Sequence, residues 1–400
     1  MAAASIPGGV TAPRGFTAAG VHCGIKAAAL DLAVVAAEHP ASAAALFTTN
    51  LVKAAPVLLS QTHLAQSGGV ARAVVINSGC ANACTGEAGM RVARSTAVHA
   101  AALLGVQPQQ ILVASTGVIG VALDAGKVTS GLAEAVPRLD AARHLDAARA
   151  IMTTDRAPKE AAAESTVGSG TFRVGGIAKG AGMIEPNMAT MLAVLTTDVA
   201  IAPALLDRAL RAAAGESFNA ISIDGDMSTN DTVFALASGA ARVTVGPDDL
   251  PAFQAAFTDV CRALALAIVR GGEGATRTVA VRVSGAQSHA DAKQVARTIA
   301  NSLLVKTAVH GADPNWGRIL AAAGRAGVPF SVDRAAVKIG PVVLFSDGRP
   351  FDERAAEAAG FLARDEVEIE VALNGGHGSA VVYTCDLSAE YVRINGEYRT

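Results

Sequence analysis

The pattern of apolar and polar positions along the chain predicts an α/β protein. Short runs rich in Val, Ile and Leu alternate with alanine-rich segments in which apolar residues recur at helical spacing. Strands are predicted for AVVIN from Ala73, ILVAS from Ile111, TFRVGGI from Thr171 and MLAVLTT from Met191, and near Val337, Val342, Val367 and Val381. Helices are predicted over residues 88–104, 203–214, 250–270 and 290–303.

Two domains are predicted from the length and from one weak boundary. A chain of 400 residues exceeds the size at which a single hydrophobic core stops growing. The strand-like sequence that ends at Val283 gives way to SGAQSHA, so we predict a larger domain over residues 1–283 and a smaller one over 284–400. In the smaller domain, residues 305–323 are predicted to run from a strand through the turn DPNWGR into a helix.

Charge and hydropathy exclude several classes of partner. With 33 basic and 35 acidic residues the net charge is -2, which gives no field to attract nucleic acid or an anionic membrane, so small-molecule substrates are expected. Apolar runs such as ILVASTGVIGVAL end at Asp124, before the roughly 20 residues that a bilayer requires, and no membrane span is predicted. The N-terminus has no basic region followed by an apolar core, so a cytoplasmic location is expected.

The cysteines do not form a metal-binding pattern. Five cysteines are present. Cys80 and Cys84 are four residues apart, but no second pair or His cluster lies near them in the sequence, so no metal site is predicted. We expect all five to be reduced and buried, in agreement with a reducing cytosol. They are Cys23, Cys80, Cys84, Cys261 and Cys385.

The segment KGAGMIEPNMATMLAVL, residues 179–195, carries the candidate chemistry. Thr190 follows Ala189 in the middle of an otherwise apolar run. A threonine hydroxyl is a weak nucleophile, but cleavage before Thr190 would give that residue a free α-amine, whose pKa of about 7.7–8.0 suits a general base at neutral pH. By itself, however, an apolar run with one Thr is more typical of a buried strand.

Several blocks in a fixed order carry a resemblance over the whole length. Besides residues 179–195 they are VTAPRGFTAAGVHCGIK from Val10, FTTNLVKAAPV from Phe47, INSGCANACTG from Ile76, VASTGVIG from Val113, IMTTD from Ile151, SIDGDMSTNDT from Ser222, GGEGATR from Gly271 and VKTAVHGADPNWGRILAA from Val305. With these blocks the chain resembles the ornithine acetyltransferase family, also called bifunctional glutamate N-acetyltransferase or ArgJ. The 179–195 and DPNWGR segments are the most distinctive.

The resemblance implies a fold, an activity and an assembly. The implied fold is a layered α/β sandwich with a smaller C-terminal α/β domain. Self-cleavage between Ala189 and Thr190 would give chains 1–189 and 190–400, which fold together and form an α2β2 heterotetramer. The implied activity is transfer of an acetyl group from N-acetylornithine to glutamate through an acetyl-Thr190 intermediate. No cofactor is implied, and the sequence leaves open whether acetyl-CoA also serves as an acetyl donor.

The resemblance also assigns residues to the site. It implies that Thr190 is both nucleophile and α-amine base and that Thr116 and Gly117 form the oxyanion hole. The implied substrate-binding residues are Thr153, Lys179, Thr190, Glu273, Asn395 and Thr400, so the C-terminal tail would return to the site. Without the resemblance, the STG sequence at residues 115–117 is a turn signal, and Lys179 and Glu273 are typical of charged side chains in solvated loops. From composition alone, the C-terminal tail is expected to fray.

Two features of the sequence leave alternatives open. The run DGDMSTNDT, residues 224–232, resembles a calcium loop only superficially, because the glycine position and terminal Glu of an EF-hand are missing, so we predict a structural turn near the active site. The same Thr190 would also serve an N-terminal-threonine peptidase or amidase that transfers the acyl group to water. In a non-catalytic binding or assembly protein, Thr190 would instead belong to the core.

Overall fold

The structure, a computed structural model, describes residues 3–168, 170–185 and 191–397. These residues form two compact units. The first contains described residues 3–219 and 226–268, and the second contains residues 220–225 and 269–397. The sequence placed its division after residue 283, whereas the structure groups 269–283 with the second unit. The reason is a strand over Thr278–Ala286 that pairs on both sides with later strands of that unit.

The first unit alternates strands with helices. Its strands are β1 (Ala4–Ser5), β2 (Phe16–Val21), β3 (Leu32–Phe47), β4 (Val70–Cys80), β5 (Ile111–Val118), β6 (Lys159–Val167), β7 (Gly170–Lys179), β8 (Leu192–Thr197), β9 (Ala200–Ile201), β10 (Thr232–Ala237) and β11 (Thr244–Val245). Its helices are α1 (Ala55–Gln66), α2 (Gly86–Leu104), α3 (Ala125–Ala135), α4 (His144–Ala150), α5 (Pro203–Glu216) and α6 (Leu250–Arg270).

The long strand β3 belongs to both layers of a sandwich. Its first half pairs with β2 and β4 and its second half pairs with β10, and the register shifts between Ala36 and Ala41 around Pro40. Proline has no N–H to donate, which suits a break in the ladder. One buried cluster contains Val35 from the first half, Ala45 from the second, and Phe234 of β10. The sheet, in the order β1-β6-β7-β8-β10-β3-β4-β5, therefore folds over to bury one core between two layers.

Helices cover the outer faces of this sandwich. The other face of the β3 and β4 layer buries small side chains of α2, such as Ala97, and Leu132 of α3. On the opposite side, Phe253 of α6 packs against Phe172 of β7 with ring centroids 5.7 Å apart. The predicted layered α/β sandwich is confirmed.

Helix α6 is the one helix among the described residues that is long and apolar enough to cross a membrane, judged by length and composition. The sequence predicts this helix over residues 250–270 but no membrane span. Phe253, Phe257, Leu264 and Ile268 of this helix are fully buried in the protein core. Its apolar character is therefore explained by packing inside the protein.

The second unit is a six-stranded sheet with helices. Its strands are β12 (Thr278–Ala286), β13 (Ala336–Ile339), β14 (Val342–Ser346), β15 (Arg349–Pro350), β16 (Glu366–Ala372) and β17 (Gly378–Cys385), in the order β15-β14-β13-β16-β12-β17. Its helices are α7 (His289–Ala300), α8 (Leu303–His310), α9 (Trp316–Gly324), α10 (Ala355–Leu362) and α11 (Ala389–Glu397). Valines and isoleucines of β12, β13 and β16 form its core with α7.

The predicted strands and helices are confirmed, with one exception. The strand expected at Val305 is wrong, because residues 303–310 form helix α8. The Ser302 side chain caps this helix by accepting from the Val305 N–H at 3.4 Å. The expectation that all cysteines are buried is also wrong: all five are free thiols, but Cys84 is exposed and Cys23 is half-buried.

Candidate active site

The ends of two parallel strands build the predicted oxyanion segment. Strands β4 and β5 run side by side, and their ladder is irregular at Cys80, which pairs with both Thr116 and Val118. Gly117 has φ +128°, and a Cβ at this position would lie 2.3 Å from the carbonyl carbon of Gly79. Only glycine satisfies both the backbone conformation and the close approach of the neighbouring strand.

Buried amide side chains hold this segment in place. Asn77 donates from Nδ2 to the Cys80 carbonyl at 2.9 Å, and the Ser115 hydroxyl donates to Asn77 Oδ1 at 2.6 Å. Asn230 donates from Nδ2 to the carbonyls of Ser115, at 2.9 Å, and Ala81, at 2.6 Å. Because these bonds are buried and linked, the backbone around Thr116 is fixed before any ligand arrives.

Lys179 brings a cation to the same place from the other layer. It ends β7 and is 9% exposed. Its Nζ donates to the Oγ1 of Thr116 at 3.3 Å, across a sequence separation of 63 residues. The sandwich thus joins the ends of β5 and β7. A buried cation beside a hydroxyl can stabilise negative charge that develops on an oxygen of a bound molecule.

Asp155 organises the segment around Lys179. Its buried carboxylate accepts from the Gly180 N–H at 2.8 Å and the Thr153 N–H at 3.1 Å, and it forms an ion pair with Lys159. Burial would raise the pKa of Asp155, but Lys179 and Lys159 outweigh burial and lower it to about 2. Asp155 is therefore ionised at neutral pH and fixes Thr153 relative to Lys179.

Lys26 supports the other side of Thr153. Its Nζ donates to the carbonyl of Met152 at 2.6 Å and to that of Leu30 at 2.9 Å. The turn that carries it is closed by Asp31, whose carboxylate accepts from the Lys26 N–H at 2.9 Å. Burial, together with the positive charge of Lys179, lowers the pKa of Lys26, while Asp31 and Asp155 favour its charged form.

In the second unit the structure brings Glu273 and Asn395 together. Asn395 Nδ2, on α11, donates to Glu273 Oε2 at 2.8 Å, and Glu273 is buried. One helical turn earlier, Tyr391 donates from its hydroxyl to Asp224 Oδ2 at 3.2 Å. Two carboxylates are thus contacted by one face of α11, so residues up to 397 of the C-terminal segment form an ordered helix rather than the frayed tail expected from composition.

Gly274 permits this docking of α11. Its φ is +68°, and a Cβ there would lie 2.4 Å from the Tyr391 nitrogen. The Ser388 hydroxyl also donates to the Gly274 carbonyl at 2.6 Å, just before the helix begins. The glycine-rich loop at residues 271–274 therefore places Glu273 against the helix through a close backbone approach.

Comparison with known proteins assigns the chain to a family. A model of the ArgJ family matches residues 17–400. The chain belongs to the ArgJ family. An arginine biosynthesis bifunctional protein ArgJ from a Synechococcus strain is 47% identical over 99% of this chain and 98% of its own length. The corresponding ArgJ protein of Symbiobacterium thermophilum is 48% identical over 99% of each chain.

Two solved structures are also similar to part of this chain. The crystal structure of an arginine biosynthesis bifunctional protein ArgJ from Bacillus halodurans is 42% identical and covers 51% of this chain and 97% of its own, with a TM-score of 0.49. The ornithine acetyltransferase of Mycobacterium tuberculosis, complexed with ornithine, is 48% identical over 45% of this chain and 96% of its own, with a TM-score of 0.43.

The structure gathers part of the predicted site in each unit. Thr116, Gly117, Thr153 and Lys179 lie together in the first unit, and Glu273 and Asn395 lie together in the second. Ala189, Thr190 and Thr400 lie outside the described residues. The catalytic and binding roles of all these residues stay predictions.

Sequence reasoning missed the residues that hold the site. Asp155 closes the IMTTD block, and Asn230 lies in the SIDGDMSTNDT block, so both were inside recognised segments but had no assigned role. The prediction of a structural turn at residues 224–232 did not include the Asn230 side-chain amide, which donates to the Ser115 carbonyl. Lys26 ends the block that starts at Val10 but also had no assigned role, and Lys159 carried no signal, because isolated lysines are mostly solvated. Among the described residues, no group of three or more His, Cys, Asp or Glu side chains could hold a metal ion.

Proposed function

We propose that this protein is an acetyltransferase of arginine biosynthesis that moves the acetyl group of N-acetylornithine to the α-amine of glutamate. Membership of the ArgJ family supports this activity, and its near full-length relatives are named for arginine biosynthesis. The observation that carries the proposal is the contact of Lys179 Nζ with Thr116 Oγ1 at 3.3 Å, in a buried site next to Gly117, where only glycine fits. This is the arrangement needed to bind an acyl oxygen.

The reaction is a two-step exchange of one amide for another. Self-cleavage before Thr190 provides the α-amine, which accepts the Oγ proton while Oγ attacks the acetyl carbonyl. Collapse of the tetrahedral intermediate breaks the bond to the ornithine nitrogen, which leaves with a proton from the Thr190 α-ammonium. The neutral amine of glutamate then attacks the acetyl-Thr190 ester and loses a proton to the α-amine, and the α-ammonium returns that proton to Oγ as the Thr190 hydroxyl leaves.

The oxyanion site acts in both steps. The acetyl oxygen becomes negative in each tetrahedral intermediate, and donors fixed in advance at Thr116 and Gly117 stabilise it without reorganisation. Thr116 and Lys179 are each no more than 9% exposed, so water has little access to this part of the site. Exclusion of water favours glutamate as the acceptor over hydrolysis of the ester.

The remaining assignments complete the proposal. Lys179 binds a substrate carboxylate and Glu273, with Asn395, binds the ornithine ammonium, with Thr153 and Thr400 as further contacts. The word bifunctional in the names of the relatives supports acetyl-CoA as a second acetyl donor. We further propose an α2β2 assembly of two cleaved chains, which native mass spectrometry tests, and a cytoplasmic location.

The test is the intact denatured mass of the wild type beside Thr190→Ala, before and after incubation with N-acetylornithine. The proposal expects two wild-type fragments that divide between Ala189 and Thr190, the second of which gains one acetyl group, and a single unmodified chain for the variant. Uncut, unmodified wild type would favour a non-catalytic protein and overturn the proposal.

A product assay separates the transferase from an amidase. With N-acetylornithine and glutamate present, the transferase forms N-acetylglutamate in equal amount to ornithine. An N-terminal-threonine amidase forms the same acetyl-enzyme but releases acetate. Acetate as the main product would replace the proposed function by the hydrolytic one, and the same assay with acetyl-CoA tests the second donor.

A further inference from the structure

A groove between helices α1 and α2 has no role in the site described above. Its volume is about 380 Å³, and small-molecule sites typically have volumes of about 300–1,000 Å³. Apolar side chains of both helices line it, including Leu58, Leu59, Met90 and Val98. Because Val98 is 54% exposed, the groove presents apolar surface to solvent, which is a mark of binding sites.

His63 provides a polar atom at this groove. The residue lines the groove and is only 8% exposed. Its Nδ1 lies 2.8 Å from the Ile111 carbonyl, and because a carbonyl only accepts, Nδ1 carries the proton. In this neutral tautomer Nε2 is an acceptor, and it has no partner among the described residues.

The Nε2 atom of His63 is open to a ligand. In the part of the chain that the structure describes, the buried side-chain atoms that lack a hydrogen-bond partner belong to Arg72 and Asp231. Nε2 is not one of them, so it is not sealed inside the core. On a side chain that is more than nine-tenths buried and lines the groove, this atom offers a hydrogen-bond acceptor to a molecule bound there.

Arg94 brings a positive charge into the apolar wall formed by α2. Met90, Arg94 and Val98 are spaced by four residues, so they lie one above another on a single face of this helix. The Arg94 guanidinium forms no ion pair or hydrogen bond with the described residues, and no Asp or Glu among those residues lines the groove. The groove is therefore complementary to a negative group that is attached to an apolar body.

The two polar groups define the class of molecule that fits. A guanidinium binds a carboxylate through two parallel hydrogen bonds, whereas the Nε2 acceptor requires a donor such as an ammonium group. Helices in contact have axes about 8–10 Å apart, and α1 contacts α2, so both walls can bind adjacent groups of one small molecule. A free α-amino acid carries a carboxylate and an ammonium on the same carbon atom.

We propose that the groove between α1 and α2 is a second binding site, which takes a free α-amino acid with a large apolar side chain. Arg94 binds the carboxylate, and the Nε2 of His63 accepts a hydrogen bond from the ammonium. The apolar residues of both helices cover the side chain. An aromatic side chain suits the groove, because the Met90 thioether makes favourable contacts with aromatic rings. Binding requires neither self-cleavage nor acetyl transfer.

The test is isothermal titration calorimetry of the full-length wild type with L-phenylalanine. A dissociation constant of about 1 mM or lower is expected for a ligand of this size. 3-Phenylpropanoate lacks the ammonium, 2-phenylethylamine lacks the carboxylate and L-alanine lacks the large side chain, so each is expected to bind about tenfold more weakly or worse. Absence of L-phenylalanine binding, or equal binding of all four compounds, would overturn the proposal.

Two arginine variants test whether the ligand lies in the groove. Arg94→Gln is expected to weaken L-phenylalanine binding about tenfold or more, because the carboxylate loses its charged partner. Arg91 is exposed on the same helix but does not line the groove, so Arg91→Gln is expected to bind like wild type. Equal affinities of Arg94→Gln and wild type would contradict the proposed site.

His63→Asn tests the acceptor. Asparagine can still donate from Nδ2 to the Ile111 carbonyl but has no atom in the place of Nε2. Its affinity for L-phenylalanine is expected to fall about tenfold, while that for 3-phenylpropanoate, which has no ammonium, stays near the wild-type value. A parallel loss for both ligands would count against the role of Nε2. If this buried substitution prevents folding, the surface variant Arg94→Gln decides.

Lys179→Ala excludes binding of L-phenylalanine in the acetyl-transfer site. This variant changes that site but not the groove, so it is expected to bind L-phenylalanine like wild type. Loss of binding in Lys179→Ala, with full binding in Arg94→Gln, would place the ligand in the acetyl-transfer site and overturn the proposal. Wild type that is never acetylated at Thr190 would overturn the proposed function instead, and L-phenylalanine binding in the groove would be unchanged.

Discussion

The Nζ of Lys179 and the Oγ1 of Thr116 lie 3.3 Å apart although 63 residues separate them in the chain. The contact joins the ends of β7 and β5, which lie in opposite layers of the sandwich. Its consequence is a cation fixed beside the predicted oxyanion segment, and the same cation interacts electrostatically with the Asp155 carboxylate. Substitution of the residues around this cation, and of the carboxylate proposed for the substrate ammonium, tests the proposed roles.

Lys179→Ala is expected to lower kcat/KM for N-acetylornithine about 10- to 100-fold, since hydrogen bonds to charged groups contribute about 1.5–3 kcal/mol. Steady-state kinetics with N-acetylornithine and glutamate measures the effect. Lys338→Ala is the control, because Lys338 is only half-buried and pairs with Glu370 at 3.3 Å in the second unit. Equal losses in the two variants would count against a role of Lys179 in the site.

Gly117→Ala is expected to abolish most activity, because its Cβ would lie 2.3 Å from the Gly79 carbonyl carbon and would displace the oxyanion segment. We expect kcat to fall by about 10² or more and the free energy of unfolding by about 1–3 kcal/mol. Gly120→Ala is a close control: Gly120 has φ +78°, but a Cβ there has nothing within 4 Å.

In the control variant the added Cβ meets no neighbour, so only the left-handed backbone conformation is unfavourable. Gly120→Ala is therefore expected to lower the free energy of unfolding by about 1–2 kcal/mol, with kcat near that of wild type. Thermal unfolding and steady-state kinetics on both variants check the comparison. A Gly117→Ala protein with normal kcat would mean that the position of this backbone does not matter to the reaction.

The free energy of unfolding is expected to depend on pH through the Asp155 carboxyl group. Its pKa is about 2 in the folded protein, below the roughly 3.9 of an unfolded chain. A depressed pKa means that its stabilising contribution is complete above about pH 4 and is lost as pH falls toward 2, and its size is on the order of 2 kcal/mol. Asp155→Asn is therefore expected to be less stable than its parent at pH 6, with a difference that narrows at pH 3.

Urea unfolding at several pH values measures this difference, with Thr190→Ala as the parent so that the chain stays uncut. Asp207→Asn provides the control, because Asp207 pairs with Arg211 at 2.7 Å on the surface of α5. A stability difference for Asp155→Asn that does not change between pH 6 and pH 3 would contradict the ionised, paired state of this carboxyl.

Glu273→Gln is expected to impair recognition of the substrate ammonium. Its kcat/KM for N-acetylornithine should fall about 10- to 100-fold, whereas N-acetylnorvaline, which lacks the terminal ammonium, should react equally well with variant and wild type. Glu366→Gln is a control in the same unit, because Glu366 is exposed and pairs with Arg270. A parallel loss for both substrates would show that Glu273 acts on something other than the ammonium.

The sequence predicted most secondary structure because the core is built from local apolar patterns. The strand at Ile111 and the helix over residues 250–270 followed from their spacing alone. The error at Val305 came from the β-branched residue at the start of the segment, although Val305, Ala308 and Val309 recur at helical spacing and are the apolar residues that α8 buries. Ser302, the cap of this helix, was the overlooked signal.

The site was less predictable because it depends on tertiary contacts. A resemblance supplied Thr116 and Lys179, but no spacing indicates that β5 and β7 end beside each other. Asp155 and Lys159 are four residues apart, a spacing that usually marks an exposed helical pair, whereas here both side chains are buried and Lys159 begins strand β6. Asn230 and Asp231 are adjacent polar residues whose burial becomes visible only in the folded chain.

The strand order has a consequence for the proposed cut chain. Strands β8 and β10, which would belong to the second fragment, lie between β7 and β3, which would belong to the first. Neither fragment can complete this sheet alone, so the two are a single folding unit held by main-chain hydrogen bonds. Cleavage then turns unfolding into a dissociation, and the melting temperature of the cut protein becomes dependent on its concentration in a way that the intact precursor's does not.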